Sequence, residues 1–86
     1  MSRPIHEMRN LGPKTERMLA EIDVLDEGDL RALGAVTAYQ RLKFRFGRHV
    51  SVLALYAMEA ALTDRDWRDL DVQTKERLHR AVKATD

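Results

Sequence analysis

Met8-Arg9-Asn10-Leu11-Gly12-Pro13-Lys14-Thr15 reads as a tight turn that opens a helix. Pro13 suits the first helical position, where its missing N–H would have had no partner, and Asn10 and Gly12 tolerate the backbone angles of a sharp entry. A helix begun here runs from Pro13 to about Glu21, with Met18, Leu19 and Ile22 along one apolar stripe. Its first turn presents unpartnered amides and the positive end of the helix dipole, with Lys14 beside them. The same residues are therefore a candidate phosphate grip.

Outward from this turn the helical pattern continues. Asp23 to Glu27 is a connector in which Val24 and Leu25 are expected to turn inward. A short second helix, Glu27 to Leu33, buries Leu30 and Leu33 and is closed by Gly34. A third, Ala35 to Phe46, gathers Ala35, Ala38, Tyr39, Leu42 and Phe46 into one wedge at 100° per residue and leaves Phe44 opposite. Gly47 stops it. Ser51 is a candidate cap for a fourth helix, Val52 to Leu62, whose VLALYAMEAAL is apolar almost all round and predicts the central, buried helix. After a charged linker from Thr63 to Asp69, Asp71 can cap a fifth helix that turns Leu78, Ala81 and Val82 inward. No segment alternates at period two for long enough to be a strand. The pattern predicts an all-α, compact bundle of about five short helices in a single domain, 1–86.

At 86 residues, with 44% hydrophobic and 34% charged residues, the chain suffices for one small core and not for two domains. The absence of cysteine removes disulfides, thiolate metal sites and a cysteine nucleophile. No apolar run reaches the roughly 18 residues of a membrane span, so no membrane partner is expected. The first ten residues lack a signal-peptide pattern, which makes a cytoplasmic location the expectation. Net charge is +1 but uneven. Between Leu30 and Met58 lie five basic residues, Arg31, Arg41, Lys43, Arg45 and Arg48, and no acid, while the remainder holds 10 basic and 14 acidic residues. That split hints at an anionic partner for the middle of the chain.

Two surfaces are candidates for contact. At the first turn, Asn10 and Gly12 would shape the backbone, Gly12 and Thr15 would offer donors, and Lys14 would supply charge. The alternative is that Leu11, Gly12 and Pro13 only fix how helix one enters the core. The second surface is Gln40-Arg41-Leu42-Lys43-Phe44-Arg45-Phe46-Gly47-Arg48-His49, in which Arg41 and Arg45 share a helical face beside Phe44. Arginines around a flat aromatic bind phosphate and stack a base, or anchor a protein interface. Alternatively, Phe44 packs under a neighbouring helix. An exposed Phe44 favours dimerisation over nucleic acid.

Glu59 stands in the apolar fourth helix and must be paired to offset its desolvation, through amides of the Asn10 to Lys14 turn or through an arginine such as Arg65. Trp67 reads as a plug over the end of that helix. His6, His49 and His79 are too scattered for a metal site, and no Gly-rich nucleotide loop or nucleophile elbow occurs. Neither a catalytic residue nor a cofactor, metal or small-molecule site is indicated, and an enzyme is the least supported class.

Four ordered blocks carry a family resemblance: NLGPKT (Asn10 to Thr15), DLRALGAVTAYQRLK (Asp29 to Lys43), LYAMEAAL (Leu55 to Leu62) and the W-x-x-L of Trp67 and Leu70. Through them the chain resembles the C-terminal domain of TfoX/Sxy-type regulators of natural competence. The resemblance implies a small helical domain of helix-hairpin-helix or SAM-like topology, here standing alone, with DNA or the transcription machinery as partner. NLGPKT is also similar to the hairpin turn of helix-hairpin-helix modules, including the C-terminal domain of the bacterial RNA polymerase α subunit. In those modules the turn's amides and a lysine grip phosphates. This chain departs from that pattern with Asn10 in place of a first glycine and with Glu16 where a small apolar residue is common. The expectation is a non-catalytic regulatory binding module, DNA-associated or else a protein-interaction or homodimerisation domain.

Overall fold

Helix boundaries in this chain follow from local chemistry, and a computed structural model, which describes residues 3–84, shows how. The outermost residues of the expected 1–86 domain lie outside the described residues. The helices are α1 (Pro13–Ala20), α2 (Glu27–Leu33), α3 (Ala35–Phe46), α4 (Val52–Leu62) and α5 (Val72–Ala84), with single 3-10 turns at Ile5–Glu7, Gly47–His49 and Trp67–Asp69. Among the described residues there is no strand, only an isolated bridge between Pro4 and Asp26. The fold is a small all-α bundle.

Asp26 caps α2 by accepting from the Asp29 amide at 2.9 Å, and Asp29 reaches back to accept from the Leu25 amide at 3.0 Å. Asp71 caps α5 in the same way, accepting from the Thr74 amide at 2.8 Å. Gly34, at φ 87°, ends α2 and begins α3 in one residue. Its amide donates to Leu30 O and its carbonyl accepts from the Ala38 amide. An L side chain is strained at that angle. Helices α1 and α4 end alike, with left-handed Asp23 (φ 64°) and Asp64 (φ 54°). The amides of Val24 and Arg65 then reach back to Leu19 O and Ala60 O, the Schellman arrangement.

The fully buried large side chains come from every part of the chain: Ile5 from the N-terminal turn, Leu19 from α1, Leu30 from α2, Leu42 from α3, Leu55 and Met58 from α4, and Leu78 from α5. Helix α3 packs against α1, α2, α4 and α5, which makes it the central element. This corrects the expectation that α4 is central and wholly buried, for Leu53 of α4 is 52% exposed. Five short helices have too little mass to surround an all-apolar helix on every side. Leu25 is likewise corrected. Val24 turns inward, but Leu25 is 65% exposed, because the extended connector sends successive side chains to opposite sides. Ser51 occupies the position before α4 without a side-chain capping bond.

The N-terminal segment is more integral than its polar composition implies. Ile5, Met8 and Leu11 recur every third residue and are all buried. The Arg3 carbonyl accepts from the Glu27 amide at 2.9 Å, and the Arg3 guanidinium meets the Glu27 carboxylate at 2.9 Å. Arg31 joins the same carboxylate at 3.1 Å and also donates to Leu62 O at 3.2 Å. The hydrogen bond from Arg3, then that from Arg31, holds the Glu27 pKa below the ordinary carboxylate range. No helix among the described residues is long and apolar enough to cross a membrane.

Candidate functional site

The first-turn candidate is built on Asn10, whose φ of 72° lets the chain double back into α1. Asn is among the few non-glycine residues at ease there. Its side-chain amide reaches across to the loop that follows α4: Nδ2 donates to Arg65 O at 2.6 Å, and Oδ1 accepts from the Trp67 amide at 3.2 Å. The Schellman ending of α4 sets Arg65 in place, so this pair of bonds ties the start of the domain to a point 55 residues later. Gly12 precedes α1 in extended conformation (φ −119°), and Pro13 follows it as the first helical residue. A Cβ on Gly12 would meet nothing within 4 Å, so neither backbone angle nor packing demands glycine there. Lys14 is exposed and Thr15 half-buried. Among the described residues the amides of Lys14 and Thr15 have no acceptor.

Glu16 answers its own question from the other side of the turn. Its Oε2 accepts from the His6 amide at 2.9 Å and lies 2.7 Å from His6 Nδ1, which must carry its hydrogen to face an ionised carboxylate. The bond from the His6 amide, with the ring second, lowers the Glu16 pKa. The carboxylate is occupied, yet it leaves negative charge beside the turn.

The second candidate lies on the outer side of α3. Leu42 is buried and Phe46 half-buried on the core side, whereas Phe44 is 96% exposed. The basic residues of this stretch do not act as one field. Arg31 is committed to Glu27 and Leu62 O on another side, and Lys43 donates to Val50 O at 3.0 Å. Arg45 lies 3.9 Å from Glu21 and 5.1 Å from the Phe46 ring centroid, a cation–π distance. Arg41 and Arg48 have no ion-pair partner among the described residues. Beside Arg41, where α3 meets α2 and the connector after α1, is an open depression of about 260 Å³. Ile22, Val24, Ala32 and Leu33 make its apolar lining, with Asp23, Asp29 and Arg41 as its polar members.

Glu59 is paired as expected but with a different arginine: Arg77 of α5 meets it at 3.0 Å, while Arg65 turns to the Thr63 hydroxyl at 3.2 Å. Neither does the Asn10 to Lys14 turn contact Glu59, since the Asn10 amide is spent on the Arg65–Trp67 loop. Trp67 sits half-buried by the end of α4, its backbone amide being the group that Asn10 holds. One further cluster had no signal in the sequence. Tyr56 OH is 2.6 Å from His79 Nε2, their rings meet edge to face at 5.8 Å, and Lys75 Nζ stands 5.3 Å from the Tyr56 ring centroid. These residues approach only when α4 packs on α5, 23 positions apart in the chain.

The family model described as the TfoX C-terminal domain matches residues 1–82. Two solved structures share the fold. One is a crystal structure of an uncharacterized protein from Listeria monocytogenes, at TM-score 0.85 and 24% identity, covering 95% of this chain and 92% of that one. The other, a Listeria monocytogenes protein of unknown function in tetragonal form, gives TM-score 0.83 and 24% identity, with coverage of 95% and 99%. No curated protein matches.

Proposed function

Because the chain belongs to the TfoX C-terminal domain family, we propose that it is a non-catalytic cytoplasmic regulatory module that works by protein contact through the outer side of α3. The observation that carries this reading is Phe44, 96% exposed on a helix whose other side is the centre of the core. An aromatic ring held in water contributes nothing to the isolated fold. Its burial in a complex would gain about 1.5–3 kcal/mol. Aromatic and arginine side chains are the usual anchors of protein interfaces, and Arg41 stands one helical turn from Phe44. Acids interleave with the bases here, Glu21 near Arg45 and Asp23 and Asp29 beside Arg41, which suits a protein partner better than a phosphate backbone.

A second reading, DNA or transcription-complex association through Asn10, Gly12, Lys14 and Thr15, is favoured by one observation. Gly12 is glycine without a steric demand for it, next to two amides that lack acceptors and an exposed lysine. That leaves room for an anion at a helix start. The Glu16 carboxylate opposes it.

Fluorescence anisotropy of labelled duplex and single-stranded DNA, titrated at about 50 mM and about 200 mM salt, separates the two. Protein contact predicts no steeply salt-dependent binding. Salt-sensitive binding that Lys14→Glu and Arg45→Glu each weaken, with the fold intact by circular dichroism, would replace it with the DNA reading. The regulatory role in competence that the family implies is tested by deleting the gene and measuring transformation frequency, which the role requires to fall.

A further inference from the structure

Resting on the protein-contact reading, we infer that the partner is a second copy of this chain, docked two-fold so that Phe44 of each copy fills the depression of the other. The depression is lined by Ile22, Val24, Ala32 and Leu33, and Arg41 marks its edge on α3. Phe44 is three residues further along that helix, so ring and depression are neighbours on one surface, separated by about one helical turn. A two-fold axis between them lays each ring over the partner's depression in a single operation, and both sites are satisfied at once. An isologous contact of this kind closes at two copies and leaves no unfilled site to propagate.

Size and charge agree with that occupant. At about 260 Å³ the depression is smaller than the roughly 300–1,000 Å³ of small-molecule sites, yet far larger than the ~30 Å³ share of a water molecule. It has the scale of one inserted side chain. The depression holds Asp23 and Asp29 against Arg41, and Glu21 meets Arg45 beside it. A surface of one sign would repel its own copy and call for a partner of the opposite sign. This one is balanced, and a two-fold operation can set its bases against the acids of an identical surface.

Sedimentation equilibrium of the full chain should give a mass twice 9.9 kDa. Phe44→Ala, and separately Ala32→Arg, which fills the exposed edge of the depression, should each return it to the monomer mass with unchanged circular dichroism. A proximity test uses the absence of cysteine from the sequence. When a Phe44→Cys chain is mixed with an Ala32→Cys chain and oxidised, a disulfide-linked pair should form, with the native contact kept at the other half of the interface. Each chain alone should yield far less. A monomer at about 1 mM protein, where a dissociation constant of about 1 mM would already pair half the chains, overturns the inference. So does a dimer that both variants leave intact and the mixed oxidation fails to link. The protein-contact reading fails separately, through the salt-dependent DNA binding described above, so the two failures are told apart.

Discussion

The turn at Asn10 to Thr15 and the outer side of α3 are both basic and both exposed in part, but the molecule uses them in opposite ways. At the turn, Asn10 is bonded to Arg65 and Trp67, and Glu16 to His6, so the residue that opens the motif and the one that follows it are consumed in holding the fold. On α3, Phe44 touches water and Arg41 lacks an ion-pair partner among the described residues, as does Arg48 in the turn that follows, so the side chains contribute little to the fold and are available outside it. A recognisable motif and a free surface are different things. Asn10, which opens NLGPKT, is already employed by the tertiary structure, whereas Gly12 and Lys14 are not.

The contrast can be measured as stability. Asn10→Ala should have the largest effect, a loss of about 2–4 kcal/mol by urea or thermal unfolding. Two hydrogen bonds to part-buried backbone contribute about 1 kcal/mol each, and alanine in left-handed geometry costs about 1–2 kcal/mol. Asn10→Gly relieves the backbone but not the bonds, and should recover roughly half. A loss below about 0.5 kcal/mol for Asn10→Ala would mean that the turn is not tied down, and the contrast would collapse.

Asp71→Ala supplies a ruler for an ordinary helix cap, with an expected cost of about 1 kcal/mol. Gly12→Ser should have the opposite sign. Its hydroxyl can accept from the unpartnered Thr15 amide, and serine restricts the unfolded chain, so unfolding should become harder by roughly 0.5–1 kcal/mol. A destabilised Gly12→Ser protein would show that glycine is required at the turn after all.

The acid limb of stability distinguishes the turn further. The His6 amide lowers the Glu16 pKa in the folded chain, so this bond stabilises fully above the unfolded carboxylate pKa and is lost as pH falls through the lower folded value. The Arg68 guanidinium, with the Arg68 amide, does the same for Asp66, whose pKa is lowered to about 2. Stability should therefore decline as pH drops below the ordinary carboxylate range, and Glu16→Gln should remove its share of the slope while Asp66 continues to titrate toward about pH 2. An unchanged slope in Glu16→Gln would sever the pair from the fold's acid sensitivity. The smallest effect belongs to α3: Phe44→Ala should alter monomer stability by no more than about 0.5 kcal/mol, since the ring is 96% exposed. A larger change at high dilution would place the ring in the fold, not at its surface.

Several features were legible because they are written in neighbouring residues. The stops at Gly34 and Gly47, the Asp71 cap, the Pro13 start and the position of Phe44 opposite Leu42 all follow from local angles and helical period. Less was legible where partners are distant. Glu59 needed an arginine, but its choice of Arg77 over Arg65 depended on how α5 crosses α4. The depression beside Arg41 exists only because the connector after α1 lies against α2 and α3. Ile5, Met8 and Leu11 carried a three-residue period that polar neighbours obscured.

By itself the sequence determined the all-α class, the five helices and the position of Phe44 opposite Leu42 on α3, since apolar period, glycine and capping residues act within a few positions of themselves. Only the tertiary structure decided which helix is central, that Asn10 is bound to a loop 55 residues away, and that an open depression forms beside Arg41. Those outcomes depend on which of many apolar faces and polar side chains meet, and a helix pattern specifies what each face needs without naming the neighbour that supplies it.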